Sequence, residues 1–271
     1  MAYVVKADGE EEKFDKEKLK QSILDAGASP ALADEVMRNF MQDKAKGQKK
    51  NISSQEIVDI IIRYLKKDKG SAARYDLRRA IMELGPAGYS FEAYFARILQ
   101  DNGFTVKVNE HFKGKNIMHE VDIDAKRNHR YMVECKYHNK RGIKTRVKDP
   151  LYVYARFLDL EKHFDSPWLA TNTKCTDDAL NYARGVGMRI TAWDYPKEFS
   201  LKELICCKHL YPITVIRGIS FNSKETLFKC GIYLIQDLAN IAVDKLVFKT
   251  GFSETFAKRI VNEAKGILGE P

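Results

Sequence analysis

The sequence predicts a multi-domain chain of α and α/β class, and three observations lead there. Its 271 residues exceed what one hydrophobic core usually serves, so two or three domains are expected. Helical and strand-like periods alternate between residues 87 and 197, as in a layered α/β domain on a central mixed sheet. The pattern changes on both sides: residues 1–86 read as a hairpin followed by helices, and residues 210–271, after a linker at 198–209, as helices alone.

The first region opens with VVKADGEEEKF, two short extended runs joined at Asp8-Gly9, a favoured two-residue hairpin turn. Asp15 is placed to cap a helix over KEKLKQSILDAG, Ser29-Pro30 to start a second, and Ser53 with Glu56 to form a capping box before IVDIIIRYLKK. A last helix, SAARYDLRRAIMEL, is expected to stop at Gly85-Pro86.

The second region begins with GYSFEAYFARILQDNGF, whose Phe91, Tyr94, Phe95, Ile98 and Leu99 fall on one helical stripe before Gly103. The strand TVKVNEHF follows, then a hairpin in HEVDIDAKRNHRYMVECKYHN, where Glu120, Asp122 and Asp124 alternate on one strand and Glu134 and Lys136 on the next. A period of two puts each set on one face and Val121, Ile123, Val133 and Cys135 on the other. So many acids together are costly unless something positive sits among them. His119 and His138 read as surface residues and Cys135 as a small buried thiol. After a basic loop, KRGIKTRVK, come a helix through LYVYARFLDLEKHF, the strand WLATN, a helix over TDDALNYARGVG and the strand RITAWDY. In the third region, glycine turns at Arg217-Gly218-Ile219 and Thr250-Gly251-Phe252 separate pairs of short helices.

Composition narrows the function. The net charge of +9, from 46 Lys and Arg against 37 Asp and Glu, suits a polyanionic partner such as nucleic acid. The five cysteines include no CxxC pair, so neither a zinc ribbon nor a disulfide framework is indicated and a reducing cytoplasm is expected. The charged start lacks a signal core and no apolar run approaches ~20 residues, so neither export nor a membrane partner is expected.

The first region resembles the ATP-cone, a nucleotide-sensing domain of ribonucleotide reductases and some transcriptional regulators. VVKADG, the following KF, DKEKL, ISSQEI and the RY of the last helix carry the likeness. The resemblance implies that Lys6 and Lys18 face the phosphates of ATP or dATP, that Glu12 and Asp15 lie beside them, and that Ser54 sits near the nucleotide. Ala7 stands where the family often has a second basic residue. With no GxxxxGK loop, the nucleotide is expected as an effector and not as fuel.

The second region, with its SFE helix, EVD strand and VECK strand, resembles the PD-(D/E)xK nuclease superfamily, specifically Mrr-type restriction endonucleases and Holliday-junction resolvases. That likeness implies hydrolysis of double-stranded DNA with Mg²⁺ or Mn²⁺ on Asp122 and Glu134, Lys136 at the attacking water or the transition state, and Glu92 as a further ligand or tuning group. Which of Glu120, Asp122 and Asp124 is the principal metal ligand stays open, with Asp122 placed first. Lys140, Arg141, Lys144, Arg146 and Lys148 are expected along the DNA backbone. The third region resembles tandem helix-hairpin-helix repeats, which imply contact with DNA or with protein. Together these likenesses imply a nucleotide-regulated, restriction-like endodeoxyribonuclease of type II or IV, assembled as a homo-oligomer and acting in restriction or defence. The alternative is a nucleotide-responsive DNA-binding regulator whose nuclease fold does not cut.

Overall fold

The computed structural model describes residues 3–7, 9–46, 51–85 and 89–269; Asp8 of the expected hairpin turn and Pro86 of the expected helix stop lie outside them. The chain forms two compact units, residues 1–81 with 211–271 and residues 82–210. Residues far apart in sequence thus share the first unit. No helix of the described residues is long and apolar enough to cross a membrane.

In the first unit, β1 (Tyr3–Val5) pairs antiparallel with β2 (Glu11–Lys13), from Tyr3 opposite Lys13 to Val5 opposite Glu11. Asp15 caps α1 (Lys16–Asp25), its carboxylate accepting the Glu17 and Lys18 amides. Helix α2 (Pro30–Lys46) follows. Then comes β3 (Asn51–Ser53), which sequence periodicity does not reveal because three residues are too few to show alternation. It runs parallel to β1, with Val5 opposite Ser53. The Ser53–Glu56 capping box opens α3 (Ser54–Tyr64), and α4 (Lys69–Met82) ends the segment. Leu19, Ile23, Val36, Phe40, Ile57, Ile61 and Leu65 make the core beneath this small sheet.

The second unit is a three-layer α/β structure. Helix α5 (Tyr89–Asp101) precedes β4 (Thr105–Lys113), β5 (Met118–Lys126) and β6 (Arg130–Lys136), the short β7 (Lys144–Thr145), α6 (Lys148–Leu160), β8 (Ser166–Thr171), β9 (Lys174–Cys175), α7 (Asp177–Gly185), β10 (Arg189–Thr191) and α8 (Leu201–Cys206). The main sheet has the order β10-β8-β6-β5-β4, parallel across its first three strands and antiparallel from β6 to β4. Trp168 of β8, opposite Val133, meets Phe95 of α5 edge-on at 6.0 Å. On the other face Met132, Leu169 and Ile190 pack with Val153 and Leu160 of α6 and Ala183 of α7. The anticipated apolar stripe of α5 is fully buried.

One expectation about faces fails. Val121, assigned opposite the acids, packs with Met132 and Leu169, and Leu169 lies across from Glu134. The β4–β5 ladder skips the Asn109–Asp122 pair, and Asn109 has φ of 54°, so strict alternation is lost there. His119, expected at the surface, is buried against Asp159 at 2.8 Å. Asp159 also accepts the Asn116 amide at 2.8 Å and the Ile117 amide at 3.3 Å, so this one carboxylate organises the β4–β5 turn.

The C-terminal residues add α9 (Phe221–Lys229), α10 (Ile235–Ala239), α11 (Val243–Thr250) and α12 (Glu254–Leu268). Both glycine turns form with left-handed residues, Gly218 at φ 78° and Gly251 at φ 69°. The helix expected before the first turn is instead a single 3₁₀ turn at Ile213–Val215. Pro212 and the β-branched run Ile213-Thr214-Val215-Ile216 oppose a longer helix. Within the first unit, buried Asp76 of α4 takes Arg79 Nε at 2.7 Å and Arg217 Nε at 2.9 Å, and Thr214 donates to the Ala80 carbonyl at 2.7 Å. Replacing Asp76 with Ala removes the carboxylate that both arginines share, leaving Arg217 its longer contact with Asp59 at 3.3 Å. The expected cost is roughly 2–3 kcal/mol of stability in denaturant unfolding, and an unchanged midpoint would show that the pair carries no such weight.

Candidate active site

Two neighbouring strands part at the point where the acids gather. β6 stays paired to β8 from Tyr131 to Lys136, but its ladder to β5 ends at the Ile123–Val133 pair. Past that fork the Cys135 amide has lost its strand partner, and Asp122 Oδ2 accepts it at 2.7 Å. A buried amide must find an acceptor, so the fork itself fixes the aspartate. Glu134 follows Val133 on β6, and Lys136, one pleat on, lies 3.5 Å from Asp149 of α6.

Nothing in the sequence singles out Arg156. It lies on α6, which packs over this face, and its guanidinium donates to Glu134 Oε2 and to the Glu120 backbone carbonyl. Arg156 and Glu134 are only 12% and 17% exposed, so the pair is largely shielded from water. Its i, i+4 neighbour Tyr152 lies against the same guanidinium. The signal for it, a lone arginine in LYVYARFLDL, is legible only once α6 is known to cover the fork.

Burial raises the Asp122 pKa, which the Cys135 amide and Arg156 partly offset. Glu134 is pushed up to about 7, by burial first and then by the Asp122 charge, with Arg156 opposing. Glu92, on the first turn of α5, is also pushed up to about 7 by burial and by Asp122 and Glu120. Three acids from three elements therefore feel one another's charge, and Lys136 stands at their edge. The Cys135 thiol, expected to be buried and inert, is half-buried and pushed well up by burial and by Asp122, so it is no thiolate nucleophile.

Asp124 is separate. Arg130 holds it with two hydrogen bonds, Nε to Oδ1 at 2.9 Å and Nη2 to Oδ2 at 2.7 Å, and the same guanidinium covers Phe112 and Phe164. Glu120 is exposed and touches the site through its carbonyl.

The donors at the fork suit a hard divalent cation, because they are oxygen ligands whose mutual repulsion such an ion would relieve. Among the described residues no group of three or more His, Cys, Asp and Glu forms a dedicated metal cage. Two carboxylates completed by water match Mg²⁺ or Mn²⁺ better than zinc.

All five residues of the basic loop, Lys140, Arg141, Lys144, Arg146 and Lys148, are exposed or half-exposed. The loop is anchored between them: Thr145, fully buried, meets the Thr171 and Thr173 hydroxyls at 2.9 and 3.0 Å, and β7 pairs with β9. Lys148 belongs to the first turn of α6, which starts earlier than the sequence suggests.

In the other unit the β1–β3 register ends at the Val5–Ser53 pair, which Lys6 follows on one strand and Ser54, the first residue of α3, on the other. Glu12 bridges both lysines, 3.0 Å from Lys6 and 2.5 Å from Lys18, and the Lys18 and Lys6 hydrogen bonds hold its pKa down at about 2. Asp15 is occupied as the α1 cap.

Three family models match this chain: an ATP cone domain at residues 2–83, an Mrr-type catalytic domain described as a restriction endonuclease at 86–200, and the C-terminal domain of AF1548-like proteins at 211–268. A relative from Archaeoglobus fulgidus, described as an uncharacterized protein, is 39% identical over 176 residues, 64% of this chain and 99% of the relative. The crystal structure of AF1548, a protein of unknown function, matches with a TM-score of 0.62 at 38% identity, covering 68% of this chain and 99% of that one.

Two outcomes test this assignment of roles. Asp124→Asn should lower stability by roughly 1–3 kcal/mol while leaving divalent-ion binding intact, and Asp122→Asn should do the reverse, as followed by unfolding and by Mn²⁺ titration. Glu92 binds its proton more tightly folded than unfolded, so its contribution is present below about pH 4.5 and is lost as pH rises through about 7. Glu92→Gln should therefore match the parent below about pH 4.5 and exceed it at pH 8 by roughly 1–2 kcal/mol, discounted for partial exposure.

Proposed function

The chain belongs to the AF1548-like family, with an ATP-cone domain joined to its restriction endonuclease domain, and from that premise we propose a metal-dependent DNA endonuclease regulated by an adenine nucleotide. The observation that carries this reading is the strand fork, which gathers Asp122, Glu134 and Glu92 with Lys136 alongside. Asp122 and Glu134 would hold Mg²⁺ or Mn²⁺, which when bound supplies charge against the phosphate and a more acidic water.

The chain's own groups divide the remaining work. Glu92, pushed up to about 7 by burial and by the charges of Asp122 and Glu120, is suited to accept a proton from the attacking water near neutral pH. Lys136, an ammonium paired with Asp149, is suited to stabilise charge developing on the phosphate. Arg156 keeps Glu134 fixed and part of its charge balanced while no ion is bound. The anchored loop 140–148 presents five cations to solvent, where a phosphate backbone would displace their counterions.

The nucleotide is read as an effector at Lys6, Lys18 and Ser54. A polyphosphate would compete with Glu12 for the two lysines, and the amides at the start of α3 add a favourable dipole. ATP or dATP satisfies two lysines more fully than a monophosphate does. Any regulation requires unequal affinity in the two functional states.

Plasmid incubated with Mg²⁺ or Mn²⁺ should be cut, EDTA should stop the cutting, and Asp122→Ala, Glu134→Ala or Lys136→Ala should each lower the rate by roughly 100-fold or more with DNA still bound. Binding without cutting under every metal condition would favour the DNA-binding regulator. Replacing Lys144, Arg146 and Lys148 together should flatten the salt dependence of DNA affinity by roughly one unit per lost phosphate contact; an unchanged slope places the DNA elsewhere. Calorimetry with ATP, ADP and AMP should rank them in that order without hydrolysis, and light scattering or the cleavage rate should respond to ATP. A flat response refutes regulation.

A further inference from the structure

At the β5–β6 turn, the end of that hairpin away from the fork, a solvent-open cavity of about 310 Å³ is lined by Phe104, Arg127, Asn128, His129, Tyr131 and Arg189. Its volume sits at the lower end of small-ligand pockets. Two of its walls are aromatic: Phe104 and Tyr131 meet edge-on with ring centroids 6.2 Å apart.

The two arginines are the unusual feature. Their neighbour Arg130 is neutralised by Asp124, whereas Arg127 and Arg189 make no ion pair among the described residues. Arg127 extends over Phe104 at 5.9 Å. Arg189 lies 3.9 Å above the Trp168 ring, with Tyr131 at 5.7 Å and Phe199 at 5.8 Å. Cation–π contact stabilises such a guanidinium without neutralising it. Burial holds the Arg189 pKa below its ordinary value, an effect that its hydrogen bond to the Tyr131 hydroxyl partly offsets, so the charge is taken partly out of water with no carboxylate in return. An anion placed between the two would restore that balance. The exposed Asn128 and His129 add polar groups at the rim.

Aromatic faces, two uncompensated guanidinium groups and a small volume together select a planar, monoanionic or dianionic ligand. We propose that this cavity is a second nucleotide site, which takes one nucleoside monophosphate moiety with its base against Phe104 and Tyr131 and its phosphate on Arg127 and Arg189. The moiety is either a free nucleotide or an unpaired nucleotide at the end of a DNA strand, and both present the same chemistry. The site is independent of the cleavage reading, since none of its residues belongs to the fork or to the β1–β3 cradle.

Trp168 beneath Arg189 reports on it. The full chain, followed by tryptophan fluorescence, is titrated with thymidine 5′-monophosphate, with thymidine, and with inorganic phosphate. The monophosphate should change the emission saturably, with thymidine and phosphate each about tenfold weaker or more, because each lacks half of the contacts. Arg127 is exposed and its removal spares the core, so Arg127→Ala should keep the melting temperature and weaken the monophosphate about tenfold; Arg189→Lys, retaining charge but losing the planar stack, should weaken it as well. Competition by an oligonucleotide with an unpaired end, set against a blunt duplex, distinguishes a strand terminus from a free nucleotide. No saturable response up to millimolar monophosphate, an equal response to inorganic phosphate alone, or an Arg127→Ala variant of unchanged affinity would overturn the proposal.

Discussion

The second unit is organised around an amide that its own sheet leaves unpaired. β6 cannot stay in register with both neighbours: it keeps β8 to the end and loses β5 after Val133. The freed Cys135 N–H needs an acceptor, and the side chain of Asp122 provides it. One backbone requirement therefore positions an acidic side chain beside Glu134 and leaves an opening between strands that α5 and α6 border from opposite faces. The acids are held by the sheet and by helix packing, not by a loop, which is the arrangement that keeps reactive groups in fixed relation.

Charge is apportioned unevenly around that opening. Asp124, two residues from Asp122, is consumed by Arg130 in a two-point hydrogen bond that also covers aromatic surface, and so is structural. Asp122 and Glu134 share one nearby cation, Arg156, whereas Glu92 feels burial and the charges of Asp122 and Glu120. Burial first, and then the charge of the neighbouring carboxylates, explains why Glu92 and Glu134 hold protons near neutrality. The reverse imbalance, guanidinium groups without a carboxylate, recurs at Arg127 and Arg189 on a different part of the sheet.

Much of this was legible in the sequence where a local rule suffices. Asp15, Ser53 with Glu56, and the stripe on α5 follow from capping and period, and the structure places them as those rules require. The ATP-cone and restriction endonuclease likenesses rest on motifs whose spacing survives in one sequence, and the family matches agree with both. Features set by distant partners were not legible. β3 owes its existence to β1, His119 is buried because Asp159 forty residues on binds it, and Arg156 matters only because α6 lies over the fork. Alternation failed at Val121 for a related reason, a backbone kink in the neighbouring strand that no pattern within β5 reveals.

The pairing of Asp76 with Arg217 inside one unit has a topological consequence. Residues 82–210 are an insertion, entered from and returned to the same body, in place of a bead on a linear string. Truncating the chain after the ATP-cone match would discard helices that complete its host, whereas excising the insertion and bridging its ends would keep the host's contacts. The inserted unit is therefore joined to its host by two chain crossings, at residues 81–82 and 210–211, where a terminal domain would have one.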